Sequence, residues 1–126
     1  MKIAAKKILK LLGNPVVMGR QYTIRVVDPK DDGGNWADVC RRHREVRISE
    51  DALDDPYNRL VPTIIHELLH AGYYESGQGN LIRSKQEEAA CDMVEMTLTP
   101  TFWKLIKLCL KQKTEIRKLK KKISRR

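Results

Sequence analysis

The sequence predicts one α+β domain, in which a small antiparallel or mixed sheet packs against helices. Three observations support this prediction. Several short segments in the first half alternate apolar and polar residues, as half-buried strands do. The second half contains longer segments whose apolar residues have helical spacing. A chain of 126 residues is long enough to build one hydrophobic core but not two.

The chain begins with a predicted helix followed by a predicted strand. Residues 2–12 place apolar side chains on one helical face, and the sequence Gly-Asn-Pro at residues 13–15 ends this helix. Residues 22–27 alternate, so that every second side chain from Tyr22 to Val26 is apolar and shares one face of a strand.

Two further strands complete the predicted sheet. The sequence Asp-Asp-Gly-Gly at residues 31–34 predicts a turn, and residues 36–40 predict the strand that follows it. Residues 45–49 form the third, with Val46 and Ile48 facing inward. Because the connections are short, we expect an antiparallel meander.

The first of two longer helices follows the sequence Asp-Asp-Pro at residues 54–56. Pro62 is expected in its first turn, where the missing N–H is tolerated. Gly72 or Gly77 is expected to end it, and residues 77–80 to form a loop before the next helix.

The next helix is predicted to begin with a capping box. Ser84 would be the N-cap, and the Glu87 carboxylate would reach back to its backbone N–H. Thr99 and Pro100 resemble an N-cap followed by a first helical residue, so they predict the end of this helix and the start of another.

A His-Glu-Leu-Leu-His motif at residues 66–70 lies inside the first of these helices. Positions i and i+4 share a helical face, so His66 and His70 can bind one Zn²⁺. Glu67, next to the first histidine, can reach a water on that metal and act as a general base.

A third zinc ligand is expected from the following helix. With Glu87 assigned to the cap, Glu88 is free to bind zinc, and Asp92 lies four residues later on the same face, where it can orient a ligand histidine. His43 is a weaker candidate, because arginines surround it. The alternative for Glu88 is an ordinary acidic helix start, which the helix dipole favours.

The HELLH motif followed by Glu88 and Asp92 resembles the gluzincin metallopeptidases, the group that includes thermolysin. The short distance between the two motifs is more similar to small bacterial and phage zincins of the ImmA/IrrE type. The resemblance covers residues 45–100 and implies a minimal zincin-like fold. It implies that His66, His70 and Glu88 bind zinc, that Glu67 is the general base and that Asp92 orients a ligand.

Such enzymes often use a Tyr, His or Arg to stabilise the tetrahedral intermediate, and Tyr73 and Tyr74 are candidates by position. The reaction expected from these residues is zinc-dependent hydrolysis of a peptide or protein, held by strand addition at residues 36–40 or 45–49. Two alternatives stay open: a DNA-associated protease resembling the SprT-like group, and a non-catalytic binding module stabilised by zinc.

The positive charge of the chain is concentrated at its C-terminus. Residues 104–126 carry eleven basic residues and one acidic residue, a net charge of +10, whereas the remaining 103 residues carry 14 basic and 15 acidic residues, a net charge of −1. We therefore divide the chain into a catalytic domain, residues 1–110, and a basic tail, residues 111–126. The apolar residues between Phe102 and Leu108 are expected to dock on the core.

Beyond this point the apolar stripe thins to Ile116, Leu119 and Ile123, so the tail is predicted to protrude. Residues 104–126 are candidates for contact with nucleic acid or another polyanion, and a solvated helix is the alternative. Three cysteines without a C-x-x-C spacing predict reduced thiols. No apolar stretch has the length of a signal core or a membrane span, so a cytoplasmic protein is expected.

Overall fold

The computed structural model describes residues 2–28, 36–77 and 84–125. The predicted turn at residues 31–34 and most of the loop at 77–80 lie outside these ranges. The expected α+β class is confirmed, with helices and two small sheets. The first predicted helix is present as α1, Lys2–Leu12, and Gly13 follows it with a φ of +59°, a left-handed conformation that favours glycine.

A short β-hairpin comes next, which the alternation of apolar and polar residues in the sequence did not predict. Strands β1, Val16–Val17, and β2, Arg20–Gln21, pair antiparallel. Met18 and Gly19 connect them, and both have a positive φ, as the tight turns of two-residue hairpins require.

The main sheet contains β3, Thr23–Val27, β4, Ala37–Cys40, and β5, Glu45–Ser49, in the order β3-β5-β4. The predicted antiparallel meander is wrong, because β5 lies in the centre, parallel to β3 and antiparallel to β4. The sheet is therefore mixed. Ion pairs cross both of its strand pairs, from Arg47 to Asp38 and from Arg25 to Glu45, and so support this order.

The inward face of the sheet agrees with the prediction for β5 and only partly for β3. Val46 and Ile48 are fully buried. Val26 is exposed and Val27 is buried, so the predicted alternation breaks at the end of this edge strand. The core combines apolar residues of α1, the sheet and the residue before β3, the segment from 52 to 71, and α3: Ala5, Ile8, Tyr22, Val46, Ile48, Ala52, Leu53, Leu60, Val61, Ile64, Ala71 and Ile106.

The helix with the HELLH motif is α2, Val61–Glu75. A 3₁₀ turn, Glu50–Asp54, and a π-helical turn, Pro56–Leu60, lead into it. Pro62 lies in its first turn, as predicted. Gly77 follows its C-terminus with a φ of +78°, which makes Gly77 and not Gly72 the glycine at its end.

A buried tyrosine fixes the end of α2 against the sheet. The Tyr22 hydroxyl donates a hydrogen bond of 2.7 Å to Glu75, and the Arg44 guanidinium donates another of 2.9 Å to the same oxygen. These bonds hold the pKa of the Glu75 carboxyl below its usual value, and burial raises the pKa of the Tyr22 phenol.

The last helix, α3, runs without interruption from Ser84 to Ser124, over 41 residues. The predicted break at Thr99-Pro100 is wrong. The Thr99 hydroxyl donates a 2.5 Å hydrogen bond to the Glu95 carbonyl, and the packing of α3 on α2 continues past Pro100 to Ile106. A proline removes one hydrogen bond from a helix, and this packing outweighs that loss.

Contact of α3 with the core extends to Leu110, as predicted, but only some of the apolar residues before it take part. Of the apolar residues between 102 and 108, Trp103 and Ile106 pack on the core, whereas Phe102, Leu105 and Leu108 are exposed. Residues 111–125 are helical or turn and exposed throughout. No helix within the described ranges combines the length and apolar character needed to cross a membrane.

Candidate metal centre

The two histidines of the HELLH motif lie side by side on α2. Successive turns of the helix bring their rings together, and 3.1 Å separates Nε2 of His66 from Nε2 of His70. Both side chains are mostly buried between α2 and α3.

Glu88 of α3 lies directly opposite this pair. One of its carboxylate oxygens is 2.8 Å from Nε2 of His70, and the other is 3.1 Å from Nε2 of His66. The structure therefore brings together the three residues predicted to bind zinc. The Glu88 side chain is 56% exposed, so this group is open to solvent on one side.

The other ring nitrogen of each histidine faces a carboxylate. Nδ1 of His70 lies 2.5 Å from Glu87, and Nδ1 of His66 lies 3.2 Å from Asp92 and 3.6 Å from Glu95. These acceptors favour the tautomer with the proton on Nδ1, which leaves a lone pair on Nε2.

The capping-box assignment of Glu87 is therefore wrong. Its carboxylate is buried against His70 on the inner face of the first turn of α3 and does not reach back to Ser84. Asp92 lies where the sequence placed it. Glu95 was not predicted, although its spacing of seven from Glu88 and three from Asp92 puts all three residues on one helical face.

The donor set fits a zinc ion. In these tautomers both Nε2 atoms and both Glu88 oxygens carry lone pairs and no proton, so a cation at their centre would satisfy all of them together. Ligands of a tetrahedral zinc lie about 3.3 Å from one another, given bond lengths of about 2.0–2.1 Å. The spacings of 2.8–3.1 Å are close to this value. His66 also belongs to a second acidic group with Asp92 and Glu95, but through its opposite nitrogen, Nδ1.

Glu67 follows His66 in the chain and is one of the buried residues of α2. It is 9% exposed, and burial raises the pKa of its carboxyl above the ordinary value while the adjacent imidazoles act in the opposite direction. Glu67 lines the cleft on both sides of Glu88. It is therefore placed to exchange protons with a molecule bound there.

The cleft beside this centre follows the edge strand β4. On one side a cavity of about 310 Å³ is lined by Ala37, Asp38, Val39 and Arg41, together with Glu67 and His70. On the other side a cavity of about 410 Å³ is lined by Trp36, Ala37, Thr63 and Glu95, together with His66 and Glu67. The cleft thus has a cationic end at Arg41 and an aromatic end at Trp36.

Neither tyrosine considered for transition-state stabilisation is among the described residues that line these two cavities. The Arg41 guanidinium lies over the ring of Tyr74, 5.3 Å from its centroid, and 4.0 Å from Glu87. Arg41 was missed from the sequence, because it is one of several arginines around a turn and no local pattern singles it out.

The weaker candidate for metal binding, His43, lies elsewhere, and the cysteine of α3 nearest to Glu88 is not suited to the role. His43 is exposed in the turn between β4 and β5. Cys91 is fully buried, and burial raises the pKa of its thiol to about 12, which suits a small apolar side chain and not a metal ligand.

Comparison with models of protein families, with curated proteins and with solved structures finds no match for this chain. The function is therefore inferred from the geometry of the site.

Replacing Glu87 by alanine is expected to weaken zinc binding about 10- to 100-fold, the effect typical of removing the acceptor behind a ligand histidine. Competition with a chromophoric zinc chelator would measure it. Met93→Ala, at an exposed position of the same helix, serves as the control. Wild-type zinc affinity in a folded Glu87→Ala protein would contradict the orienting role.

Proposed function

We propose that this chain is a zinc-dependent peptidase of the zincin type. The observation that carries the proposal is the buried carboxylate of Glu67 beside a group of three zinc-type ligands from two helices. A purely structural zinc ion needs no such carboxylate and normally has four protein ligands. Among the described residues, this group offers three.

The ligand residues have separate tasks in this proposal. His66, His70 and Glu88 hold the metal, and Glu87 and Asp92 keep the two imidazoles in the tautomer that binds it. When bound, zinc supplies a Lewis acid and makes water more acidic. The exposed side of Glu88 leaves access for water and substrate.

Glu67 moves the proton. Its carboxylate accepts a proton from the attacking water and later returns it to the nitrogen of the leaving amine. Burial raises its pKa, and a base whose pKa is closer to neutrality holds the proton more effectively between these two steps.

The substrate would bind as an extended peptide along β4. This strand pairs with β5 on one side, and no described strand pairs with it on the other, so its backbone groups are available for strand addition. Of the two segments predicted to hold the peptide, residues 36–40 remain, whereas residues 45–49 form the central strand and have no free edge.

Arg41 takes the role first considered for Tyr73 and Tyr74. It is the cationic side chain that lines the cleft next to Glu67 and His70, where it would contact a carbonyl or carboxylate oxygen of the substrate.

The test is hydrolysis of a peptide library by the purified 126-residue chain, followed by mass spectrometry. We expect cleavage that stops when zinc is removed by a chelator and returns when zinc is restored. If zinc instead raises the melting temperature and the zinc-loaded protein cleaves nothing in the library, the chain is a zinc-stabilised binding module. Cleavage that is indifferent to chelation would also contradict the proposal.

A further inference from the structure

The C-terminal half of α3 carries an apolar stripe that no part of the described structure covers. We define the tail stripe as Ile116, Leu119 and Ile123, whose exposed fractions are 52%, 58% and 69%. Their spacing of three and four residues matches the first and fourth positions of a heptad, the seam along which two helices pack.

The same face continues towards the body of the protein. Phe102 and Leu105 lie two heptads before Ile116 and Leu119, and both are exposed. A straight helix drifts by only about 20° per heptad, so these residues remain close to the line of the tail stripe. Gln112, between the two groups, is a polar residue in this line.

The flanks of the tail stripe are strongly basic. Residues 111–126 carry nine basic residues and one acidic residue, a net charge of +8. In the heptad frame, four residues occupy the positions beside the seam, where coiled coils form ion pairs between helices; three of them are basic, Lys113, Lys120 and Lys122, and one is acidic, Glu115. A partner that covers the stripe therefore needs acidic residues on both sides of its own apolar face.

We infer that the tail stripe is the docking surface for an acidic amphipathic α-helix of another protein. A second copy of this chain fits poorly, because packed helix axes lie 8–10 Å apart and two segments of +8 would meet at about one Debye length.

Other anionic partners leave the stripe unexplained. Phosphate groups of a nucleic acid would use only the lysines and arginines, and the stripe has no aromatic residue to stack on bases. The tail stripe itself also contains no Trp or Phe, side chains that are common on helices bound to membrane surfaces, and Phe102 lies fourteen residues before its first member.

The test uses a synthetic acidic helix with Ile and Leu in heptad positions and Glu beside them. A control peptide has the same composition but its apolar residues are scattered around the helix. By fluorescence anisotropy at physiological salt, the full chain should bind the first peptide more than about tenfold more tightly than the second. Because both peptides carry the same charge, this difference measures the contact between the apolar face of the peptide and the tail stripe.

Two sets of variants separate the stripe from the charge. Ile116→Ala, Leu119→Ala and Ile123→Ala together should abolish the preference for the first peptide without weakening the helix, because alanine has a higher helix propensity. Lys113→Gln, Lys120→Gln and Lys122→Gln together should weaken binding of both peptides. Circular dichroism confirms that each variant is helical.

Three results would overturn the inference. If both peptides bind equally and the alanine variant binds them as tightly as the wild type does, the contact is made by charge alone. A duplex DNA probe would then bind in the same way. A wild-type dimer in sedimentation that the alanine substitutions abolish would assign the stripe to a second copy. Binding to vesicles with phosphatidylserine that requires the stripe, without binding of the peptide, would assign it to a membrane surface.

Discussion

Glu67→Gln is expected to retain zinc and the fold but to lower peptide hydrolysis by roughly 10²–10⁴-fold, the contribution typical of one general acid–base group. The substitution preserves the shape of a side chain that is 9% exposed, so the packing of α2 remains intact. It removes the only function that the proposal gives to Glu67, which is to accept and return a proton.

Three measurements on the same sample distinguish this result from loss of structure. Zinc content and melting temperature should match the wild type, while kcat/KM falls. Glu115→Gln, which makes the same chemical change on the exposed tail, should hydrolyse peptides at the wild-type rate. A Glu67→Gln protein that retains wild-type kcat/KM would refute the mechanism.

His66→Ala or His70→Ala is expected to abolish the binding of about one zinc per chain. Each substitution removes one of three ligands, and the lone pairs of the remaining two do not form a catalytic zinc site. Glu88→Ala should weaken binding strongly as well, since both of its oxygens lie within about 3 Å of the ligand nitrogens.

The third histidine provides the matched control. His43 is exposed in the turn between β4 and β5, so His43→Ala should keep the full zinc content by elemental analysis. Because apoprotein without zinc is expected to be less stable, each variant should also be compared by thermal unfolding with and without added zinc. Loss of zinc from His43→Ala, or stoichiometric zinc in His66→Ala, would show that the metal binds elsewhere.

Several elements follow from local patterns that the sequence contains. The end of α1 at Gly13, the first turn of α2 around Pro62 and the inward face of β5 all agree with the predictions. Each depends on residues within one helical turn or a few positions of a strand, where backbone geometry alone relates neighbouring side chains.

The order of the strands could not be predicted from such local patterns. Short connections favour neighbouring strands that pair antiparallel, and only the β4–β5 pair follows this rule. The pairing of β3 with β5 joins residues more than twenty positions apart, where no spacing within the chain relates one side chain to the other.

The continuity of α3 is a second feature that local sequence patterns did not predict. Thr99 and Pro100 match the start of a helix in isolation, yet the helix passes through them. Local propensity is a weak preference, and packing against α2 on both sides of the proline determines the outcome.

The sequence by itself determined that His66 and His70 share a face, that Glu67 lies between them in the chain, and that Glu88 and Asp92 share a face on another helix, because spacing within a helix is set by its backbone hydrogen bonds. Only the tertiary structure decided that Glu87 lies against His70, that Arg41 and Trp36 border the cleft, and that β4 is the edge strand beside it. These relations join residues of separate elements, so spacing along the chain does not determine them. The packing of the core determines them, because each element must bury its apolar face and few arrangements of the elements bury all of these faces together.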